Sequence, residues 1–402
     1  MRILLVGPVP PELGSKNHGG VARHVWDLAQ ALHRRGHDVE LLALGRYYRT
    51  TRRVDDIVVH GLTPRTLWQF PRLLHRWVGF VKKSDQVWGW RDYMYVLYAF
   101  VRLSTVINES FDIVHAHGYG HKVPVACSLL DAAIPVTLTV HSYHSVQFGS
   151  SDQRQKVRKY DYINTNVDGL IHVSHADRRK GKEFGVDWGC PDFVVHNAVS
   201  IGKENLPGAG RNGICFVGSL IRRKGLDILV EAWRECQNVE EMRIIGEGPL
   251  SEDIEAQVEY KSSIKMLGYL EKKEALWHMR RANALVVPSR SESFGLVYLE
   301  ALLMGTPIVG YHRTLNEFIS VLSPTEEELD YIYPYDAGRE SIASLAEVIE
   351  KAVAARHRDK EGQVARGLIR KVRRHFGWDH IVPKIENIYK HVCNSKMLIN
   401  KE

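Results

Sequence analysis

The chain has 402 residues, enough for two or three domains, and its 44% hydrophobic and 25% charged residues are the mixture of a globular protein rather than a disordered or fibrous one. Its 54 basic and 47 acidic residues leave a net +7, which favours anionic ligands or acidic membrane surfaces but comes with no nucleic-acid reading motif. Five cysteines, Cys127, Cys190, Cys215, Cys236 and Cys393, are odd in number and never spaced C-x-x-C, which excludes a disulfide frame or zinc ribbon and fits reduced thiols of a cytoplasmic protein.

Arg2 precedes only Ile3 to Val6 before Gly7-Pro8. That run is too short for a signal peptide and predicts a first buried strand. No uninterrupted apolar run is long enough to span a bilayer, so any membrane contact would be peripheral. Gly19-Gly20 opens a helix marked by Val21, Val25, Leu28, Ala29 and Leu32, which Gly36-His37 ends before a strand at Val39 to Leu44. This is a βαβ unit, but it lacks G-x-G-x-x-G and so the standard dinucleotide fingerprint. Residues 60–105 interleave cations with aromatics: Arg65, Trp68, Arg72, Arg76, Trp77, Lys82, Lys83, Trp88, Trp90 and Arg91. One reading is one or two helices packed on the N-terminal domain with a solvated basic face. The other is an acceptor-binding surface that also touches anionic lipid.

Asp112 to Gly118 ends a strand in a polar tip, a helix is expected from about His121 to Ala133, and Pro135 to Val140 is a strand that delivers His141-Ser142. Ligands of open α/β sheets bind at strand C-termini, which makes His117 and His141 candidates; neither has metal spacing. Gly169 to Val173 is a further strand, after which Ser174 caps a helix. Phe193 to His196 leads to Asn197-Ala198-Val199-Ser200. Residues 201–212, with Pro207, Gly208 and Gly210 and no hydrophobic period, read as a linker.

A second βαβ set begins at Ile214 to Val217. Gly218 to Gly225, with Ser219, Arg222, Arg223 and Lys224, opens a helix carrying Leu226, Leu229, Val230 and Trp233. A helix mouth beside cations suits a diphosphate. Arg243 to Ile245 runs into Gly246-Glu247-Gly248-Pro249, and Ile264 to Leu267 into Gly268-Tyr269. The chain then gathers its most informative stretch. Ala284 to Val287 is a buried strand closed by Pro288, a polar loop follows, and a helix begins at Leu296. Glu292 in the loop and Glu300 in the helix have seven residues between them. Helical side chains lean toward the N-terminus, so Glu300 can point back toward the loop. Two carboxylates beside free backbone N–H groups suit a ligand rich in hydroxyls that also carries phosphate, and Gly295 lets it approach the backbone. Residues 339–393 are mostly helical in pattern, and the tail after Cys393 is expected to fray.

The stretch from Glu292 to Glu300, with Phe294-Gly295 between, resembles the E-x7-E motif of family 4 retaining glycosyltransferases, and the resemblance extends over nearly the whole chain. It implies the GT-B fold: α/β, two Rossmann-like doubly wound domains facing a central cleft, with a last helix from Trp378 crossing back to the first. The expected division is 1–200, linker 201–212, 213–375 and a crossover helix and tail at 376–402. The resemblance implies that Glu292, Phe294, Gly295 and Leu296 hold the donor sugar and Glu300 the ribose. Lys224 matches the lysine that grips the donor diphosphate. Ser219 stands where the family has Arg, leaving open whether Arg222 or Arg223 substitutes. Gly248 lines the nucleotide pocket, and Gly19 and Gly20 approach the diphosphate or the reacting centre. His141 lies near the donor sugar, but Ser142 replaces the usual Asp. Asn197-Ala198-Val199-Ser200 and the segment Tyr311 to Glu317 depart from the family's Asn-Gly-Val-Asp and Gly-Gly patterns.

The expected activity is hexosyl transfer from a nucleotide-diphosphate sugar to an acceptor hydroxyl with retention, with Glu292, Lys224 and His141 as catalytic residues. No cofactor and no metal are expected, since no Asp-x-Asp sits in a suitable loop. The expected partners are the donor and a carbohydrate or lipid-linked acceptor, without nucleic acid. The expected location is the cytoplasm, with the 60–105 reading adding the inner face of the cell membrane. Two alternatives stand beside this: an epimerase of the same fold, and a non-catalytic nucleotide-sugar-binding protein.

Overall fold

The computed structural model describes residues 1–15, 19–44, 51–61, 70–83, 88–107, 111–118, 122–130, 133–143, 153–200, 210–258, 263–359 and 362–399. The chain divides into two compact units, Met1–Ala198 with Trp378–Glu402, and Val199–Gly377.

The first unit is built on β1 (Arg2–Gly7), β2 (Asp38–Ala43), β3 (Arg52–Val54), β4 (Ile57–His60), β5 (Ile113–His117), β6 (Val136–Val140), β7 (Gly169–His172) and β8 (Asp192–Val194). They form one sheet in the order β3-β4-β2-β1-β5-β6-β7-β8, parallel throughout except for β3 against β4. β1 reads as an unbroken apolar run because both faces are covered. Ile3 and Leu5 face Val25, Leu28 and Leu32 of the helix Gly20–Arg34 and Ile381, Ile385 and Tyr389 of the helix Trp378–Ile399. Leu4 and Val6 face Val96, Phe100 and Leu103 of the helix Trp90–Leu103 and Val123 and Ala126 of the helix Val123–Leu129. Period-2 alternation thus sends alternate residues of one strand into two cores. The chain runs outward from β1 to β2 and β4, then restarts beside β1 with β5. The β1/β5 border is therefore the switch point at which an open sheet presents its ligand crevice.

The second unit carries β9 (Ile214–Val217), β10 (Met242–Ile245), β11 (Ile264–Met266), β12 (Ala284–Val287), β13 (Ile308–Tyr311) and β14 (Ile332–Tyr335). All are parallel, in the order β11-β10-β9-β12-β13-β14, which places its switch point between β9 and β12.

Several expectations need correction. The helix expected from His121 runs Val123–Leu129. The tail does not fray at Cys393: the last helix continues to Ile399, and Lys396 Nζ holds Asp168 at 2.8 Å. Glu386 fixes the same helix from its other side, accepting from Arg35 at 2.6 and 2.9 Å and pairing with His37 at 2.9 Å. The 60–105 region does contain two helices, Phe70–Lys83 and Trp90–Leu103, but residues 62–69 and 84–87 lie outside the described residues. Its apolar stripe is not wholly packed, since Leu74, Val78, Trp90, Met94 and Tyr95 are exposed. Most of the expected linker, 201–209, also lies outside them. All five cysteines are free thiols. No helix among the described residues is long and apolar enough to cross a membrane.

Candidate active site

Lys224 and Glu292 come from the loops that leave β9 and β12, the two strands flanking the switch point of the second unit, and they form an ion pair. Backbone and side chain lace the two loops together. Arg290 N–H donates to the Arg223 carbonyl at 2.8 Å, and Arg223 Nη1 donates to the Ser291 carbonyl at 2.9 Å. Arg290 in turn clamps Asp227 with two bonds of 2.7 and 2.8 Å. Gly225 allows the contact: its φ is +74°, and a Cβ there would stand 2.1 Å from the Pro288 carbonyl oxygen. Glu292 also faces Ser289 Oγ at 3.4 Å and Arg223 Nη1 at 3.8 Å. Of the two cations left open by the sequence, Arg223 shares this junction, whereas Arg222 is exposed and offers its carbonyl to Arg290.

The helix Leu296–Leu303 starts at Gly295, whose φ is +74°. The structure adds an internal reason for that glycine: a Cβ would strike the Tyr298 ring at 2.5 Å. Tyr298 is fully buried, donates to the Val287 carbonyl at 2.7 Å and accepts from Tyr311 N–H at 3.2 Å, pinning the ends of β12 and β13 under the site. Burial raises its hydroxyl well above the ordinary phenol range. Phe294 faces inward. Its ring is buried against Phe318 and Phe376, with centroids 5.3 and 5.9 Å away, so only its backbone is available to a ligand. Leu296 occupies the first turn and is half-buried. Glu300 pairs with Lys272 at 3.1 Å.

Ser219 is exposed on the turn after β9, and Gly248 lies against that turn, where a Cβ would meet the Leu220 carbonyl oxygen at 2.5 Å. The segment after β13 has no glycine loop, because the helix His312–Leu322 follows the strand directly.

In the first unit, Gly19 and Gly20 are exposed at the N-terminus of the helix Gly20–Arg34, and a Cβ on Gly19 would have open space around it. The glycine is therefore not demanded by packing. At the C-terminal ends of β5 and β6, His117 Nδ1 lies 3.2 Å from His141 Nε2, and His24 joins them so that one nitrogen of each lies within 4.8 Å of the others. His115 sits below, held by Tyr389 Oη at 2.6 Å and Thr139 Oγ1 at 2.7 Å. Burial keeps these rings neutral, lowering His24 to about 4, His115 to about 3 and His117 well below the usual range. Three neutral imidazoles are a ligand set for a divalent cation, which the sequence spacing did not reveal because each comes from a separate element. His24 comes from the helix Gly20–Arg34, His117 from β5 and His141 from the residue after β6.

Residues 18–203 match the model "Glycosyltransferase Family 4" and residues 211–349 the model "Glycosyl transferases group 1". An uncharacterised glycosyltransferase of Methanocaldococcus jannaschii is 32% identical over 209 residues, half of this chain and 56% of that one. A phosphatidyl-myo-inositol mannosyltransferase of Mycobacterium leprae is 26% identical over 94% of each chain. Among solved structures, sucrose-phosphate synthase from Thermosynechococcus elongatus superposes with a TM-score of 0.69 at 18% identity, covering 98% of this chain and all of that one. The Anabaena protein HepE in complex with UDP gives 0.66 at 16% identity, covering 97% and all. Two such parallel-sheet units make up the GT-B fold. The chain belongs to glycosyltransferase family 4, group 1.

Proposed function

We propose that the protein transfers a sugar, a hexose, from a nucleotide-diphosphate sugar to an acceptor hydroxyl, retaining the anomeric configuration and using no metal. The observation that carries this reading is the Lys224–Glu292 pair at the β9/β12 switch point, with Arg223 beside it. The bond from C1 to the diphosphate breaks with its electrons going to the phosphate oxygen, while the acceptor oxygen bonds C1 and its proton leaves with the departing diphosphate, so the products are the glycoside and the protonated nucleoside diphosphate. Stabilising charge on the departing diphosphate is the main physical task. Lys224 and Arg223 supply cations for it, and the backbone N–H groups at Gly295-Leu296 supply dipoles. An arriving diphosphate draws Lys224 away from Glu292, which then accepts from the sugar hydroxyls, while Glu300 accepts from the ribose. Ser219 and Gly248 border the nucleotide. In the first unit the Gly19-Gly20 backbone and His141 are the groups offered to the transfer.

The acceptor is a carbohydrate or a lipid-linked carbohydrate; the mannosyltransferase relative is named for a lipid acceptor. Exposed Trp90, Met94 and Tyr95 beside exposed Arg91 support peripheral contact with anionic lipid on the cytoplasmic face. A thermal-shift screen of UDP-, GDP- and ADP-sugars tests the donor. A true donor at 100 times its dissociation constant adds roughly 2.7 kcal/mol of stability. Proton NMR of the product then reads the anomer. No stabilisation by any nucleotide sugar, and no transfer, would overturn the reading.

A further inference from the structure

Each glutamate of the E-x7-E pair has a lysine of its own. Lys224 serves Glu292, and Lys272 serves Glu300 at 3.1 Å. Lys272 is the first residue of the helix Lys272–Arg281, reached after β11, and its ammonium also donates to the Ser200 carbonyl at 3.2 Å. That helix packs on the helix bearing Glu300. Lysine is a poor choice for a helix's first turn, where the macrodipole favours acids. Helix formation therefore does not account for it, and the partner it reaches does. One ammonium thus bridges the Ser200 carbonyl, at the start of the second unit, and the Glu300 carboxylate.

We infer that Lys272 is a positioning residue for Glu300, holding its carboxylate in the orientation that accepts from a ribose hydroxyl and cancelling its charge before an anionic nucleotide arrives. Among the described residues, Lys272 is the cation paired with this carboxylate. The inference rests on the reading of Glu300 as the ribose residue, so its test separates the two. The Kd of UDP, ADP and GDP is measured by calorimetry against wild type, Lys272→Met, Lys272→Arg and Glu300→Gln, each nucleotide beside its 2′-deoxy form. In wild type the tightest ribonucleotide should bind about tenfold better than its deoxy counterpart, the scale of one hydrogen bond to a charged group. Lys272→Met should bring that ratio near one while changing deoxynucleotide affinity less than twofold, and Lys272→Arg should restore most of it. A purely structural role would weaken both forms alike. If Glu300→Gln leaves the ratio intact, or none of the nucleotides binds, the ribose reading fails and the inference with it. If Glu300→Gln abolishes the ratio and Lys272→Met does not, the inference alone fails. An unchanged thermal midpoint in Lys272→Met shows that the variant folds.

Discussion

Replacing Lys224 by Ala removes the ammonium that the structure places on Glu292, and the size of the loss can be worked out. A unit charge about 4 Å from a diphosphate oxygen, at an effective dielectric near 20, is worth about 4 kcal/mol. Arg223 lies 3.8 Å from the same carboxylate and takes over part of the role. A net loss of about 3 kcal/mol remains, or roughly 10²-fold in turnover. Glu292 keeps Ser289 and Arg223 as neighbours, so the fold should survive with a modest drop in thermal midpoint. The assay is donor turnover at saturating sugar nucleotide for Lys224→Ala and Lys224→Arg, with Glu292→Gln in parallel. Arginine should recover part of the rate, and the glutamine variant should lose transfer while still binding the bare nucleotide. If Lys224→Ala turned over at more than a third of the wild-type rate, the lysine would not be stabilising the leaving group.

Tyr298→Phe removes the buried hydroxyl that accepts from the Tyr311 N–H and donates to the Val287 carbonyl, which still accepts from Ser289 N–H. It should cost about 1–3 kcal/mol in urea unfolding with little change at the site; a neutral effect would show that β12 and β13 do not depend on the hydroxyl. The first unit should lose stability as pH falls below 6.5, because its unfolded histidines then bind protons while His24 stays neutral to about 4 and His115 to about 3. The slope reaches at most about 1.4 kcal/mol per pH unit for each histidine, and a flat profile between pH 6.5 and 4.5 would contradict the buried cluster. Prolonged dialysis against a strong chelator should leave transfer unchanged. Loss of activity that zinc restores would instead assign His24, His117 and His141 to a bound ion.

Much of the fold was legible because it is written in single-period patterns. Leu226, Leu229, Val230 and Trp233 are all buried on the helix Leu226–Trp233, and Ser174 Oγ accepts from Asp177 N–H as a capping residue should. The edge hairpin of β3 and β4 was not legible. Its turn uses Asp55 and Asp56 at φ 47° and 63°, and an Asp-Asp pair carries no strong signal for that conformation. The site was half legible. Glu292 and Lys224, picked out by their motifs, do form an ion pair, but spacing alone does not say that Arg290 N–H donates to the Arg223 carbonyl and Arg223 to the Ser291 carbonyl across the two loops. The motif position of Phe294 says nothing of its ring direction, which is set by Phe318 and Phe376 far along the chain. Lys272 was overlooked because its partner is reached through tertiary packing of two helices.

The helix Trp378–Ile399 belongs to the first unit although the whole of Val199–Gly377 is synthesised before it. One face of β1, which the helix Gly20–Arg34 covers only in part, therefore stays incomplete during translation until Ile381, Ile385 and Tyr389 emerge. The later half of the chain, contiguous in sequence, can finish folding while the earlier half still waits for its closing piece. Nascent chains stalled ahead of Trp378 should accordingly present a folded second unit and an apolar surface that invites chaperones.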